Sequence, residues 1–583
     1  MFQPCDFTGR VRPCPSSLRS RSVLEREGRI RVSHVLGHAT SREVRGRLAR
    51  IPSIRYLITS QETGNGVVTP LGLRVFMGGG DHLFFDEEIY VSIGQGVVKG
   101  YRHTSRNLYE FHGIPYATAP NGVDKFKAPL PAPVWEGTFD AVDKNIICPQ
   151  RNDIEYREDC LVANIFVPEI SDILKPVLVY IHGGAFVTGY GNRALPYNLV
   201  ERDIVAVTFN YRVGVHGFLC LNTEDIPGNA GLKDQIAALT WIKENIQAFG
   251  GNPDDVTVAG YSVGAASAEL MMLLPAAQGL FNKVILESGS GVASWAVNPG
   301  ALELAQNLAL KNGASYTENI TMLNDYYLSL SYEQIIDLVP SESTELKMCP
   351  CIENGTAQPI ITELPYNILI RGEYNNVPLL TGYTDGEGLL FYLSRESIYA
   401  EMNDNFNSRL PPNFFYHSDV DEDYATELIK SFYFEGKIIN EESVKNYTNY
   451  FTDSHFSYWI TKSAKKHAQN ALPVYLYEYS YVTSATQTNG PNLGATHCAQ
   501  TNIILDRQGT IYSDNDLIVQ HRLIDMWANF IKFGEPTSSS QIYWNPLDPD
   551  RMNYLAINFD VQEKTFPLKE RLEFWDQIWL KDY

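Results

Sequence analysis

The sequence predicts an α/β fold in which a mostly parallel central sheet carries helices on both of its faces. After about residue 88, short apolar segments alternate with stretches of helical periodicity, and no Gly/Ser-rich linker or internal repeat divides the chain. Nearly continuous apolar segments are typical of strands buried on both faces, and their alternation with helices indicates a parallel sheet covered on both sides. Six such segments span residues 176–184, 204–212, 255–262, 283–290, 377–384 and 473–480.

The segment 232–249 illustrates the helices between these strands. Its sequence, LKDQIAALTWIKENIQAF, places Ile236, Leu239, Ile242 and Ile246 at helical spacing, which predicts one apolar face directed at the sheet. In open parallel sheets, functional groups gather at the carboxyl ends of the strands. We therefore expect the functional residues in the loops that follow the six apolar segments.

Charge and composition exclude several classes of function. The 583-residue chain has a net charge of −21, which argues against binding to nucleic acid or to an anionic membrane surface. No run of 18 uncharged apolar residues occurs, so the sequence predicts no transmembrane segment. The eight cysteines show no paired C-x-x-C arrangement and are too sparse for a disulfide scaffold, so we expect no zinc site.

The first 86 residues differ from the rest of the chain. They contain 13 Arg, no Lys and 7 acidic residues, and they carry no motif with a recognisable chemistry. We interpret residues 1–86 as a disordered, Arg-rich extension and residues 87–583 as the functional domain. The extension lacks the apolar core of a secretory signal, so the chain as written is expected in the cytoplasm, and a different N-terminus would allow secretion.

The segment VAGYSVGAAS, residues 258–267, is the strongest candidate for chemistry. An apolar strand meets Gly260, Ser262 and Gly264, and small residues suited to a helix follow. A serine at a tight strand-to-helix turn presents its hydroxyl outward, and its neighbours must be small because the strand and the helix nearly touch. Ser262 lies in the only Gly-x-Ser-x-Gly motif of the chain and is predicted to be a nucleophile.

A serine nucleophile requires backbone donors for the oxyanion that forms on the substrate. The segment IHGGAF, residues 181–186, directly follows a predicted buried strand. Gly183, Gly184 and Ala185 have little or no side chain, so their N–H groups can approach a substrate oxygen closely. Together with the N–H of Val263, which follows the nucleophile, such a loop forms an oxyanion hole.

The serine also requires a base and an acid that orients the base. TGYTDGEGLLF, residues 381–391, follows another predicted strand and offers Asp385 and Glu387, and the residues alone do not decide between them. His497 lies in a glycine-rich loop after the strand at 473–480, which gives the chain order Ser, acid, His that is expected for this kind of sheet. His467 is flanked by lysines and is expected on the surface.

These residues resemble the type-B carboxylesterases, and within that family the sequence is most similar to insect esterases. The resemblance runs from about Ile89 to Trp575. It rests on four segments: FHGIPYATAP at 111–120, EDCLVANIFVP at 158–168, the nucleophile region at 228–267, and WANFIKFGEP at 527–536. The resemblance implies an α/β-hydrolase fold and a triad of Ser262, Glu387 and His497. It favours Glu387 over Asp385 because the acid of the family directly precedes a Gly-x-x-Phe sequence.

The resemblance also assigns residues around the triad. It implies oxyanion donors at Gly184, Ala185 and Val263, and no metal or cofactor. It further implies an acyl pocket that includes Trp295 and Phe391, and a disulfide between Cys148 and Cys160. Val263 is bulkier than the usual Ala or Gly, and we expect it to narrow the acyl site.

The expected function is therefore that of a serine esterase that hydrolyses neutral carboxylic esters through an acyl-enzyme. The loop 148–160 has no Trp that would hold a choline cation, so choline esters are not expected as substrates. The expected partner is a small-molecule ester, and the natural ester and the oligomeric state stay open. The alternatives are a lipase, which shares the chemistry, and a catalytically inactive adhesion protein of the same fold.

Overall fold

The computed structural model describes residues 53–63, 67–78, 88–151, 155–169, 171, 173–193, 195–315, 317–338, 346–414, 420–486, 493–506, 510–537 and 542–579. The strands of the described residues are β1 (Ser53–Thr63), β2 (Val67–Gly78), β3 (Glu88–Ile93), β4 (Gly96–Arg102), β5 (Leu108–Pro115), β6 (Thr138–Asp140), β7 (Val162–Pro168), β8 (Lys175–Ile181), β9 (Val205–Phe209), β10 (Gly251–Tyr261), β11 (Lys283–Glu287), β12 (Leu379–Thr384), β13 (Val474–Tyr479), β14 (Asn553–Ile557) and β15 (Val561–Thr565).

Helices surround these strands. They are α1 (Tyr197–Val200), α2 (Gly214–Phe218), α3 (Ala230–Asn245), α4 (Val263–Leu273), α5 (Ala301–Lys311), α6 (Ile320–Ser329), α7 (Tyr332–Asp337), α8 (Pro365–Arg371), α9 (Arg395–Asp404), α10 (Glu422–Phe434), α11 (Val444–Thr452), α12 (Tyr458–Gln469), α13 (Ala499–Ile504), α14 (Asp514–Phe533) and α15 (Lys569–Trp579). None of the helices in the described ranges is both long and apolar enough to span a membrane.

The strands form one sheet whose centre is parallel. Its order is β15-β14-β13-β12-β11-β10-β8-β9-β7-β5-β4-β3-β1-β2, and β6 pairs with β4. From β9 to β14 every neighbouring pair is parallel. Towards both edges antiparallel pairs predominate, such as β7 with β9 and β14 with β15. All six apolar segments predicted as strands lie in the parallel centre, as the sequence indicates.

The alternating side chains of β8 show that both faces of the sheet are buried. Val177, Val179 and Ile181 belong to one large apolar cluster, which also contains residues of α3 and α4. Leu178 and Tyr180 belong to a second cluster, which contains residues of α14. Helices therefore cover both faces of the sheet, and the predicted fold class is confirmed.

Part of the predicted N-terminal extension forms strands. Residues 1–52 lie outside the described residues. By contrast, β1 and β2 form an antiparallel pair, and β1 runs parallel to β3 with Tyr56 opposite Ile89. Their β-branched and aromatic residues favour strands. The disorder of residues 1–86 and the domain boundary at residue 86 stay predictions.

Two disulfides join segments of the domain. Cys148 is bonded to Cys160, as the resemblance implies, and Cys220 is bonded to Cys351, which the sequence analysis did not predict. The second bridge links the segment after α2 to a loop 131 positions later in the chain.

Candidate active site

The predicted nucleophile lies at the turn between the central strand and its helix. β10 ends at Tyr261, α4 begins at Val263, and Ser262 stands between them. Ser262 has φ 57° and ψ −126°, a conformation that L-residues rarely adopt. The N–H of Ser262 donates a hydrogen bond to the carbonyl of Glu287 at 2.8 Å, which fixes this turn against β11.

The glycines on either side of Ser262 are required by close backbone contacts. A Cβ atom on Gly260 would lie 2.4 Å from the backbone of Gly264. A Cβ atom on Gly264 would lie 2.2 Å from the carbonyl oxygen of Ile181 at the end of β8. Both distances are too short for any side chain, so the turn can be this tight only with glycine at both positions.

The predicted base and acid meet through loops that follow neighbouring strands. His497 lies in the loop after β13, and its Nδ1 bonds to Oε2 of Glu387, which follows β12. Oε1 of Glu387 accepts a hydrogen bond from the N–H of Thr384 at 2.7 Å, so the carboxylate is held at both oxygens. Glu387 is completely buried, whereas the carboxylate of Asp385 bonds to the backbone of Ala495 instead of to the imidazole.

Ser262 and His497 line the same cavity, although they lie at the ends of different strands. Gly184, Ala185 and Val263 line it as well. The cavity thus brings the predicted nucleophile, base and oxyanion donors to one place. Its remaining wall is apolar, apart from two hydroxyl groups, and consists of Val187, Thr188, Tyr261, Trp295, Leu346, Leu390 and Phe456.

The loop after β8 exposes the backbone donors predicted for the oxyanion hole. Gly184 and Ala185 have φ angles of 125° and 56°. A Cβ atom on Gly184 would lie 2.0 Å from the carbonyl oxygen of Thr188, so this position requires glycine. No residue in the described ranges accepts a hydrogen bond from the N–H of Gly184 or Ala185. Val263 is the first residue of α4, where the N–H has no carbonyl within the helix to bond to.

His182, a buried histidine, supports the oxyanion loop. The sequence analysis placed it in the segment 181–186 and gave it no role. The ring of His182 stacks on Tyr211, with centroids 4.2 Å apart and planes inclined by 12°. Its Nδ1 donates a hydrogen bond to the carbonyl of Gly183 at 2.9 Å. Burial lowers the pKa of His182 to about 3, so the ring stays neutral near neutral pH. Only the position of His182 directly before two glycines hinted at this role in the sequence.

The two residues predicted for the acyl pocket lie in different places. Trp295 lines the cavity, and its Nε1 donates a hydrogen bond to the carbonyl of His455 at 2.6 Å. Phe391 does not line this cavity. Its ring contacts His455, with centroids 5.3 Å apart, and both residues line a second cavity.

The local helix type explains the position of Phe391. Residues Glu387–Ser394 form a 3-10 helix with three residues per turn. Leu390, one turn after Glu387, therefore faces the same side as the acid and lines the cavity, whereas Phe391 points about a third of a turn away. Leu390 and Phe456 are wall residues that sequence reasoning missed.

Comparison with known proteins places the chain in a family of esterases. The carboxylesterase family model matches residues 87–575. Esterase FE4 of Myzus persicae is 30% identical over 519 residues, which cover 82% of this chain and 91% of the relative. A carboxylic ester hydrolase of Bombus ignitus is 31% identical over 524 residues, which cover 84% of this chain and 94% of the relative.

A solved structure shows the same fold. The crystal structure of juvenile hormone esterase from Manduca sexta, with OTFP covalently attached, aligns with a TM-score of 0.76 and 28% sequence identity. The alignment covers 84% of this chain and 99% of that chain. The fold, the family match and these relatives agree, and the chain belongs to the carboxylesterase family as a hydrolase of carboxylic esters.

Proposed function

We propose that the protein hydrolyses neutral carboxylic esters through an acyl-enzyme formed on Ser262. The observation that carries this proposal is the convergence of three loops on one cavity. Ser262 and His497 line the cavity, and the carboxylate of Glu387 bonds to the Nδ1 of His497. This is the arrangement by which a serine hydroxyl is activated for acyl transfer.

In the first half of the reaction, His497 removes the proton of the Ser262 hydroxyl as the oxygen attacks the ester carbonyl. The carbonyl oxygen becomes an oxyanion and accepts hydrogen bonds from the N–H groups of Gly184, Ala185 and Val263. Glu387 keeps the proton of the neutral imidazole on Nδ1 and stabilises the imidazolium that forms. The protonated His497 then donates its proton to the leaving alcohol, and the acyl group stays on Ser262.

In the second half, water takes the place of the alcohol. His497 removes a proton from the water, which attacks the acyl carbonyl, and the same backbone donors hold the second oxyanion. His497 then returns the proton to Ser262 as the carboxylic acid leaves. The reaction requires no group beyond the residues of the chain and water.

The wall of the cavity supports a neutral substrate. The lining that lies in the described ranges contains no Asp, Glu, Lys or Arg. An ion that entered this apolar wall would lose its hydration without gaining a partner, which is costly. Two relatives named juvenile hormone esterase, from Tribolium castaneum and Heliothis virescens, are 28% and 30% identical to this chain. Juvenile hormone therefore belongs in the substrate panel beside aryl acetates, with acetylcholine as the charged comparison.

The proposal is tested with Ser262→Ala and with a matched control, Ser267→Ala. Ser267 lies in α4, the helix that follows Ser262, and is buried. Its hydroxyl accepts a hydrogen bond from Gln235 at 3.2 Å and does not line the cavity. We expect wild type and Ser267→Ala to release p-nitrophenol from p-nitrophenyl acetate and Ser262→Ala to lose several orders of magnitude in kcat. An organophosphate should label the peptide that contains Ser262. Labelling elsewhere, or full turnover by Ser262→Ala, would contradict the proposal.

A further inference from the structure

A fully buried carboxylate lies two helical turns beyond Ser262 on the same helix. Glu269 of α4 and His467 of α12 are both completely buried, and Nε2 of His467 lies 3.1 Å from Oε1 of Glu269. The expectation that His467 is on the surface is wrong. α12 is amphipathic, so Lys465 and Lys466 are more exposed while His467 turns inward towards α4.

Four donors saturate the carboxylate of Glu269. Oε2 accepts hydrogen bonds from the hydroxyl of Ser290 and from the N–H of Gly291, both at 2.7 Å. Oε1 accepts from the hydroxyl of Ser463 and from His467. Burial on its own raises the pKa of Glu269, but the bonds from His467, Ser463 and Ser290 outweigh burial, so the pKa lies below its usual value. Glu269 is therefore a buried anion with every acceptor position in use.

The imidazole of His467 is oriented from its other side. The hydroxyl of Tyr374 lies 2.7 Å from Nδ1 of His467, and Asn470 donates a hydrogen bond to the same hydroxyl at 3.0 Å. Both ring nitrogens of His467 are therefore hydrogen-bonded, and Nε2 is the one that donates to Glu269 because a carboxylate only accepts. The chain Asn470, Tyr374, His467, Glu269 thus fixes the direction of the carboxylate.

The loop that Glu269 holds passes behind the nucleophile and continues to the cavity wall. A Cβ atom on Gly289 would lie 2.2 Å from the carbonyl oxygen of Ser262, so the loop contacts the nucleophile turn directly. Ser290 and Gly291 follow, bonded to Glu269, and Trp295 reaches the cavity four residues later. Every residue from 288 to 297 is buried. If Ser290 and Gly291 shift, the loop cannot move out into solvent, so the shift is passed on to Trp295.

We propose that Glu269 is a positioning residue that holds the 288–297 loop and thereby sets how far Trp295 closes the acyl side of the cavity. The inference rests on the proposed esterase function and names what determines the acyl selectivity of that same site. Only a carboxylate accepts bonds from both the loop and α12. A glutamine at this position would direct an N–H group at one of the present donors, and the loop would have to move.

The test compares kcat/KM for p-nitrophenyl hexanoate and p-nitrophenyl acetate. Loosening the loop allows Trp295 to recede, so Glu269→Gln should raise the hexanoate-to-acetate ratio by about three- to tenfold. Ser290→Ala removes one loop contact but leaves the pair with His467 intact. It should move the ratio in the same direction even if Glu269→Gln folds poorly. Trp295→Ala should raise the ratio most, and Glu269→Gln should cause no further change when Trp295 is already Ala.

Glu110→Gln is the matched control. Glu110, like Glu269, is a buried carboxylate beside a histidine: Nε2 of His112 lies 3.4 Å from it, and Nζ of Lys144 donates a hydrogen bond to it at 2.8 Å. It lies on β5, outside the 288–297 loop. It should lower the melting temperature and leave the ratio unchanged. An active enzyme whose ratio is unchanged in Ser290→Ala, Glu269→Gln or Trp295→Ala would overturn this inference alone. Absence of turnover in the wild type would overturn the proposed function and this inference with it.

Discussion

Asp385 accepts a hydrogen bond from the backbone N–H of Ala495 at 2.7 Å, two residues before His497. Glu387, two residues after Asp385, bonds to the imidazole of His497 itself. Two carboxylates separated by one glycine thus support the same histidine in different ways. Glu387 sets the orientation of the ring, and Asp385 holds the loop that carries it.

This division of roles predicts different costs of substitution. Glu387→Gln should lower kcat by about 10³–10⁴, because an amide that donates to Nδ1 favours the wrong tautomer of His497. Asp385→Asn should have little effect, because the amide oxygen can still accept from Ala495. Both are measured with p-nitrophenyl acetate at saturating concentration. If Asp385→Asn were the more damaging substitution, the assignment of the acid would be wrong.

The second prediction concerns stability in acid. His216 lies in α2, where its ring stacks on Tyr332 with centroids 4.6 Å apart. Burial, assisted by the nearby charges of Arg212 and Lys125, lowers its pKa from 6.5 to about 3. Between these values the unfolded chain binds a proton that the folded chain does not. The stabilising contribution of neutral His216 is therefore complete above pH 6.5 and is lost progressively as the pH falls towards 3.

His216→Phe keeps an aromatic ring in the stack and removes this titration. Between pH 7 and pH 5 its free energy of unfolding should fall by about 2 kcal/mol less than that of the wild type. Urea titrations at the two pH values measure the difference. His521→Phe, at an exposed position of α14, serves as the control and should follow the wild type. Equal losses in His216→Phe and the wild type would show that His216 is not the titrating group.

The third prediction compares the two disulfides. Cys220 and Cys351 are 131 positions apart, whereas Cys148 and Cys160 are 12 apart. In the loop-closure account, the longer loop restricts the unfolded chain more, by about 2 kcal/mol. The double variant Cys220→Ser/Cys351→Ser should therefore lose more stability than Cys148→Ser/Cys160→Ser. Both are made with Cys349→Ala, since Cys349 lies two residues from Cys351 and is not disulfide-bonded. If the two double variants lost equal stability, the disulfides would stabilise the protein mainly through contacts in the folded state and not through loop closure in the unfolded chain.

The fourth prediction concerns the N-terminal segment. Five strands of the sheet separate β3 from β10, and β1 contacts the rest of the sheet by pairing with β3. Chains that lack residues 1–52 or 1–86 should therefore both keep the kcat/KM of the full chain. The shorter chain leaves the edge of β3 unpaired and should aggregate more readily. Light scattering and esterase assays on the two truncated chains measure this. Activity lost only in the shorter chain would show that β1 and β2 support the site.

The parallel centre of the sheet was predictable because a strand buried on both faces must be apolar almost throughout. The position of Ser262 was predictable for a related reason, since the close approach of β10, α4 and β8 permits only glycine at positions 260 and 264. Both features follow from patterns in consecutive residues. The bond between Cys220 and Cys351 follows from no such local pattern, because it depends on contact between segments far apart in the chain.

Two differences from the sequence analysis have a geometric origin. Phe391 was assigned to the acyl pocket from a motif, and that assignment stays a prediction. In the 3-10 helix it is Leu390 that lines the cavity containing Ser262. His467 was assigned to the surface because of its lysine neighbours. In a helix, adjacent residues point in different directions, so Lys466 says little about the side that His467 faces.

The distance along the sequence between Glu387 and His497 has a consequence for synthesis of the protein on the ribosome. The two residues are 110 positions apart, and His497 comes last. A ribosome that adds about 5–20 residues per second needs roughly 5 to 20 seconds to travel between them. Throughout that interval the emerging polypeptide carries the proposed nucleophile and acid but lacks the proposed base. Under the proposed mechanism, ester hydrolysis therefore requires translation to pass residue 497.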